Sequence, residues 1–196
     1  MAQIEPVNVR LRDGRHVVLR SAGIADIEAI CALTASVTQE RGYTLFEPEE
    51  LGESSLRTSK RVRAVVDDPD ELRVVAEVAG PHAPSDAGHI VGDLSIGAGR
   101  WKRLAHCATL GIDIHRDFRR VGLGDMMVRA ALAWATGHPR IERVELYVYA
   151  DNAPAIALYR KHGFTQEGRR QHYFRATDGR YFDDLIMVVF VKNPPR

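Results

Sequence analysis

Two segments of the sequence combine residue types and spacings that could do chemistry. The first is the run Arg119-Arg120-Val121-Gly122-Leu123-Gly124, between an apolar strand and an amphipathic helix. The start of a helix presents free backbone N–H groups and the positive end of the dipole, and glycine lets an anion approach closely. The run is therefore a candidate phosphate-binding loop. A plain strand-to-helix turn with solvated arginines explains it about equally well, because glycine motifs give many false positives.

Two other phosphate-binding loops do not fit this run. A Walker loop needs Lys-Ser/Thr after its last glycine, and here Asp125-Met126 follows. The dinucleotide fingerprint needs three glycines, and the run has Gly122 and Gly124 only.

The second segment spans residues 144–164 and contains a tyrosine that could act as an acid. Asn152 precedes Ala153-Pro154, a sequence typical of a helix start. Tyr159 follows on the predicted helix. A tyrosine with a pKa of about 10 stays protonated at neutral pH and can donate a proton to a leaving group. On its own, Tyr159 is more simply explained as a half-buried core residue with a hydrated hydroxyl.

Composition excludes several classes of protein. The 196 residues carry a formal net charge of +1, which lacks the basic excess of a dedicated nucleic-acid binder. The two cysteines suggest neither a disulfide framework nor a metal site. The N-terminus has no apolar signal core, and no apolar run is long enough to span a bilayer. We therefore expect a cytoplasmic protein without a metal, nucleic-acid or membrane partner.

Hydrophobic periodicity predicts the order two strands, two helices, three strands, helix, strand, helix, two strands. This is an α/β sheet with helices on both faces, mixed rather than purely parallel. The helix over residues 122–137 has apolar side chains at helical spacing on one face. No linker rich in Gly, Ser or Pro divides the chain, so we expect one domain over residues 1–196. An exposed sheet edge and the terminal hairpin could support a homodimer.

Taken together, the two segments resemble the GNAT superfamily of N-acetyltransferases. Arg119, Gly122 and Gly124 match the pattern Arg/Gln-x-x-Gly-x-Gly/Ala of its coenzyme A loop. Residues 144–164 resemble its fifth strand, Asn-containing loop, short tyrosine-bearing helix and Gly-Phe. The resemblance extends over residues 88–191. Within the family, the sequence is most similar to the small bacterial enzymes that acetylate amino acids or other small amines. It implies a mixed, mostly antiparallel sheet of six to seven twisted strands with about four helices.

The resemblance also implies which segments of the chain bind the acceptor and which bind the cofactor. Acceptor-side helices would span about 21–62, a coenzyme A-binding core about 88–164, and a C-terminal hairpin about 164–191. Acetyl-CoA would be the acyl donor. Tyr159 would lie near its sulfur as the general acid. The residues implied in cofactor binding are Ile112, Asp113 and Ile114 for the pantetheine arm, Arg119, Arg120, Val121, Gly122, Leu123 and Gly124 for the pyrophosphate, and Asn152 and Tyr159.

The base and the acceptor pocket are less defined. Many relatives carry a carboxylate near the position of Thr109, and threonine cannot act as a base at neutral pH. His106, Asp113 and His115 are nearby candidates, and a water chain is another; among them we choose His106, whose ordinary pKa of about 6.5 is suitable. Arg41, Tyr43 and Asp183 are candidate acceptor-binding residues, although charged residues there could simply be solvated.

We therefore expect an acetyl-CoA-dependent N-acetyltransferase acting on a primary amine of a small molecule such as an amino acid. The same chemistry could instead act on a protein N-terminus or lysine. A different class, a module that senses acetyl-CoA without turnover, is disfavoured because a sensor needs no leaving-group acid such as Tyr159.

Overall fold

A computed structural model describes residues 3–40, 42–44, 47–66, 68–78, 83–84 and 89–192. Over these residues the chain forms eight strands and four α-helices, in the order that the periodicity predicts. The elements are β1 (Val7–Arg10), β2 (His16–Ser21), α1 (Ile27–Gln39), α2 (Leu51–Val66), β3 (Glu71–Val78), β4 (Ile90–Ala98), β5 (Cys107–Ile114), α3 (Leu123–Gly137), β6 (Arg143–Tyr149), α4 (Ala153–Lys161), β7 (Thr165–Arg175) and β8 (Tyr181–Phe190).

The strands form one sheet in the order β1-β2-β3-β4-β5-β6-β8-β7. β5 and β6 run parallel, whereas β1–β2, β2–β3, β6–β8 and β7–β8 are antiparallel pairs. The predicted mixed, mostly antiparallel sheet is confirmed. It has eight strands, the number that the periodicity predicts, rather than the six to seven that the family resemblance implies. In the part of the chain described, no helix is long and apolar enough to cross a membrane.

The chain divides into two compact units, of which the first comprises Met1–Ile96 and Ile112–Ala131. Apolar residues recur at helical spacing along α1, so one side of this helix is buried. This side packs with α2 and two strand residues in a single cluster, made of Ile30, Leu33, Val37, Val62, Val75 and Ile90.

The first half of α3 packs closely in the same unit. Leu123, Met127 and Ala131 are fully buried, as their spacing predicts. A Cβ at Gly92 of β4 would lie 2.8 Å from the sulfur of Met127 and 3.2 Å from the Cβ of Ala76. A glycine at this position therefore lets the helix approach the strands.

The second unit comprises Gly97–Gly111 and Leu132–Arg196. Its strands β6, β8 and β7 pair in antiparallel fashion. Seven residue pairs, from Arg143↔Phe190 to Tyr149↔Asp184, join β6 to β8. β5 joins β6 through three parallel pairs, Cys107↔Arg143 to Thr109↔Glu145. The core of this unit is apolar and includes Val144, Leu146, Ile156, Phe164, Leu185, Met187 and Val188.

Candidate functional site

The glycine loop in the first unit has a backbone suited to binding an anion. Arg120 and Gly122 both adopt left-handed conformations, with φ of 64° and 96°. Gly122 immediately precedes α3, and its carbonyl accepts a hydrogen bond from the Met126 N–H at 3.3 Å. The N–H groups of the first helical turn lack partners within the helix. The loop therefore turns sharply into a helix N-terminus where a phosphate group would be favoured.

A third arginine lies at this loop and was not predicted from the sequence. The Arg12 N–H donates a hydrogen bond to the Val121 carbonyl at 3.0 Å. A Cβ built on Gly122 would lie 3.7 Å from both Cγ and Nε of Arg12. The Arg12 side chain is exposed. The predicted Asp13-Gly14 turn thus carries a cation to the glycine loop, a long-range contact with no local sequence signal.

The same hairpin also holds the short turn that leads into the loop. An Arg15 nitrogen donates a hydrogen bond to the Asp117 carbonyl at 2.5 Å. The Arg15 guanidinium carbon lies 3.8 Å from the centre of the Phe118 ring, which is fully buried. The loop is therefore fixed from its N-terminal side by both a hydrogen bond and a cation–π contact.

Arg119 is engaged by two partners in the same unit. Its Nη1 and Nη2 donate to the two carboxylate oxygens of Glu40, at 2.7 and 2.8 Å. Its Nε donates to the Ile114 carbonyl at 2.8 Å. The guanidinium is thus held beside both the glycine loop and the end of β5, and its charge is balanced by Glu40.

Asp113, on β5, is a half-buried carboxylate without a hydrogen bond or ion pair to the described residues. Burial and, to a smaller extent, the Asp93 charge raise the pKa of Asp113 to about 6, although Arg73 and Arg119 oppose the shift. Arg73 itself donates two hydrogen bonds to Asp93, at 2.7 and 2.5 Å, inside the unit. The Arg73–Asp93 pair is therefore satisfied, and Asp113 is left as the unpaired acid.

His115, another candidate for the base, lies at a turn before the glycine loop. Its side chain is fully buried. Its Nδ1 accepts a hydrogen bond from the Asp117 N–H at 3.2 Å, and its own N–H donates to the Val91 carbonyl at 3.0 Å. The ring therefore caps the turn that precedes the glycine loop.

In the second unit, α4 carries the predicted asparagine and tyrosine. Asn152 caps the helix, because its Oδ1 accepts a hydrogen bond from the Ala155 N–H at 3.2 Å. Tyr159 is 7% exposed and makes an edge contact with Phe164, with ring centres 5.8 Å apart. The predicted cap is confirmed, and the ring of Tyr159 is fixed by packing.

A cavity of about 300 Å³ lies in the second unit, close to the predicted base. His106 lines it with an exposed side chain, and Thr109 lines it as well. Burial raises the pKa of the Cys107 thiol, which therefore stays protonated and is a poor nucleophile. The full lining is Gly99, Leu104, His106, Cys107, Thr109, Arg143 and Glu145.

Glu145 in this cavity was not predicted from the sequence. It is the register partner of Thr109 on the neighbouring parallel strand. Its Oε1 accepts a hydrogen bond from the Tyr147 hydroxyl at 2.8 Å, and its Oε2 accepts one from Arg143 at 3.1 Å. Alternation along β6 could have indicated which face Glu145 occupies, but only the strand register could have indicated its neighbour.

The candidate acceptor residues have different surroundings. Arg41 lies outside the described residues. Tyr43 is 49% exposed. Asp183 accepts hydrogen bonds from the His172 N–H at 2.7 Å and the Arg169 side chain at 2.8 Å, which together lower its pKa. In the described residues, no group of three or more His, Cys, Asp or Glu side chains is arranged to hold a metal ion.

Comparison with known proteins identifies the class. Residues 41–164 match the model of the Acetyltransferase (GNAT) family, and this match covers more than half of the chain. The chain therefore belongs to the GNAT family of acetyltransferases, as the coenzyme A-loop and tyrosine-helix motifs predict.

Individual relatives agree with this assignment. The chain is 34% identical to the L-amino acid N-acetyltransferase AaaT of Escherichia coli (strain K12) over 101 residues, which make up 52% of this chain and 62% of that protein. The alignment thus spans less than two thirds of AaaT. The chain is also 25% identical to an N-alpha-acetyltransferase of Sulfurisphaera tokodaii over 174 residues, 87% of this chain and 93% of that protein.

A solved structure shows the same fold. The protein yncA from Salmonella typhimurium, solved with its cofactor acetyl-CoA, matches with a TM-score of 0.71. The match covers 92% of this chain and 96% of that one, at 16% sequence identity. At this identity the likeness supports the fold and carries no conclusion about the substrate.

Proposed function

We propose that this protein transfers the acetyl group of acetyl-CoA to the primary amine of a small molecule, such as an amino acid. The observation that carries the proposal is the loop before α3, where left-handed Arg120 and Gly122 turn the backbone into a helix N-terminus within the family-matched region. This arrangement suits the pyrophosphate of coenzyme A.

The remaining cofactor contacts follow from the family resemblance. In the first unit, the backbone of Ile112 and Ile114 would bind the pantetheine arm, with Asp113 between them. The N–H groups of residues 119–124 would bind the pyrophosphate, and the charges of Arg119 and Arg120 would favour it. In the second unit, Asn152 would contact the cofactor in addition to capping α4.

Tyr159 is proposed as the general acid for the leaving thiolate. Its ring is buried and packs against Phe164, which fixes the position of the hydroxyl oxygen. A positioned acid of this kind contributes roughly 10²–10⁴-fold to the rate. His106 is the sequence-based candidate for the base, and its exposed side chain lines a cavity that could admit an amine.

Two relatives favour different acceptors. The 34% identity to AaaT favours a free amino acid. The longer alignment with the N-alpha-acetyltransferase favours a peptide N-terminus as the second candidate. In both cases the amine must be uncharged when it attacks the thioester, so the chemical demand on the protein is the same.

A panel assay tests the proposal. The protein is given acetyl-CoA together with amino acids, polyamines, aminoglycosides or short peptides, and the released thiol is measured. Release that depends on a free amino acid supports the proposal. Release only with peptides supports the second candidate. Tight binding of acetyl-CoA without release for any amine supports a sensor and contradicts an acetyltransferase.

A further inference from the structure

The family resemblance implies a carboxylate near position 109, where this chain has threonine. Before it can attack a thioester, the acceptor must change from an ammonium ion to a free amine, and a nearby base assists that change. The threonine hydroxyl at position 109 cannot serve as this base at neutral pH. The cavity around Thr109 is therefore where a replacement base would be expected, and this inference rests on the proposed function.

Glu145 lies beside Thr109 on the next strand. The two residues are Cα partners in the parallel pairing of β5 and β6. Neighbouring strands are separated by about 4.8 Å, and paired residues direct their side chains to the same face of the sheet. The backbone of Glu145 thus lies about one strand spacing from that of Thr109, and both residues line the cavity of about 300 Å³.

Two hydrogen bonds fix the Glu145 carboxylate but do not use all of its acceptor lone pairs. Oε1 accepts from the Tyr147 hydroxyl and Oε2 from Arg143. An ionised carboxylate can accept about four hydrogen bonds, so lone pairs remain for an ammonium ion. The side chain is 22% exposed, which leaves it accessible from the cavity.

Arg143 does not depend on Glu145 for charge balance. It donates to both carboxylate oxygens of Glu167, at 2.7 and 2.5 Å, which are shorter contacts than the 3.1 Å bond to Glu145. Glu167 does not belong to the cavity lining. A purely structural ion pair would thus be complete with Glu167 alone, and Glu145 would be redundant.

We propose that Glu145 is the residue that accepts the proton of the acceptor ammonium in this cavity, in place of a carboxylate at position 109. Among the described residues, the other charged or titratable groups close to it are Arg143 and Tyr147 on its own strand, His106 just before β5, Cys107 at the start of β5, and Glu167 on β7.

One proton passes from the ammonium nitrogen to a Glu145 oxygen, and the free amine forms a bond to the thioester carbonyl carbon. The carbon–sulfur bond then breaks, and the thiolate takes a proton from the Tyr159 hydroxyl. The nitrogen loses its second proton, which restores the tyrosine, and Glu145 releases its proton to water. The net products are the N-acetyl amine, the coenzyme A thiol and one proton.

Matched variants of the full chain test this role. Glu145→Gln and Glu167→Gln each remove one carboxylate that binds Arg143, but only Glu145 lines the cavity. We expect Glu145→Gln to lower kcat roughly 10²-fold or more near pH 7, with the Kd for acetyl-CoA within about twofold of wild type. Glu145→Asp should recover part of the loss. Glu167→Gln should stay within about threefold of wild type, and unfolding curves check that both variants are folded.

The pH profile adds a readout that a structural role would not affect. For Glu145→Gln, kcat/KM should rise about tenfold per pH unit up to the pKa of the acceptor, because only the free amine in solution then reacts. Equal rates and equal pH dependence of kcat/KM for Glu145→Gln and Glu167→Gln would overturn the role of Glu145. The same conclusion would follow if His106→Gln, and not Glu145→Gln, changed the pH dependence of kcat/KM. A wild-type chain that binds acetyl-CoA but acetylates no amine would overturn the proposed function itself.

Discussion

Arg119 and Glu40 form a two-point ion pair across 79 residues of sequence, with nitrogen–oxygen distances of 2.7 and 2.8 Å. The pair links the residue after α1 to the glycine loop within one unit. A carboxylate on a guanidinium has the same fork geometry that a phosphate would use. Glu40 therefore occupies the donors that the proposed function would assign to coenzyme A.

Glu40→Gln should strengthen the binding of coenzyme A. The substitution removes a competing anion from Arg119 and a negative charge from the vicinity of the loop. An exposed ion pair contributes up to about 1 kcal/mol, so we expect the Kd to fall by up to about fivefold, with a loss of stability of similar size. Calorimetry measures both quantities.

Glu28→Gln provides the matched control. It removes the same charge from an exposed position in the first turn of α1, at the opposite end of the helix. Its Kd should equal that of the wild-type protein. A fall in Kd for both variants would show that general charge, rather than the Arg119 pair, is responsible.

Gly122→Val should weaken coenzyme A binding by at least tenfold. The residue has φ of 96°, which a β-branched side chain adopts only with strain of roughly 1–2 kcal/mol. The added side chain would also stand where the proposed pyrophosphate approaches. Gly137→Val, at the other end of α3 with nothing within 4 Å of its Cβ position, is the control. Undiminished binding by Gly122→Val would remove the loop from the cofactor site.

Tyr159→Phe should reduce kcat by about 10²-fold or more while the Kd for acetyl-CoA stays near normal. Phenylalanine keeps the buried ring against Phe164 and removes only the hydroxyl. Tyr181→Phe, at a residue 54% exposed on β8, is the control and should leave both constants unchanged. Steady-state turnover of Tyr159→Phe equal to wild type would exclude Tyr159 as the acid.

Asp113→Asn should stabilise the free protein above about pH 6. The folded-state pKa of Asp113 is raised from 3.8 to about 6, so the folded protein resists ionisation of this carboxyl and loses stability as the pH rises between those values. Removing the charge should raise the free energy of unfolding by about 1–2 kcal/mol at pH 7.5, after allowance for the partial exposure of the side chain.

The gain from Asp113→Asn should become small at about pH 3, where the carboxyl is mostly protonated in both the folded and unfolded states. Urea unfolding at the two pH values measures the difference. A gain independent of pH, or a loss at pH 7.5, would show that Asp113 is not a strained acid.

The helices and strands could be predicted from the sequence because residue spacing and capping act between residues that are close in the chain. The helical spacing of Leu123, Met127 and Ala131 requires only that one side of α3 be buried. The side chain of Asn152 caps α4 through a contact three residues away. The family assignment also rested on two short segments, the loop before α3 and the region of α4.

Long-range features could not be predicted in the same way. The contact between Arg12 and Gly122 depends on where a hairpin tip meets a loop more than a hundred residues later. The neighbour of Thr109 depends on the register of two parallel strands, and a shift of one residue would turn the Glu145 side chain to the other face. No alternation within either strand contains this information.

The most direct test of the central claim follows the acetyl group itself. Wild-type protein is incubated with acetyl-CoA labelled in the acetyl group and the most reactive amine from the panel, and both thiol and labelled product are quantified. The account predicts one labelled N-acetyl amine for each coenzyme A thiol released, with no product when protein is omitted. Thiol release without labelled amine, or acetyl-CoA binding with neither product, would contradict it.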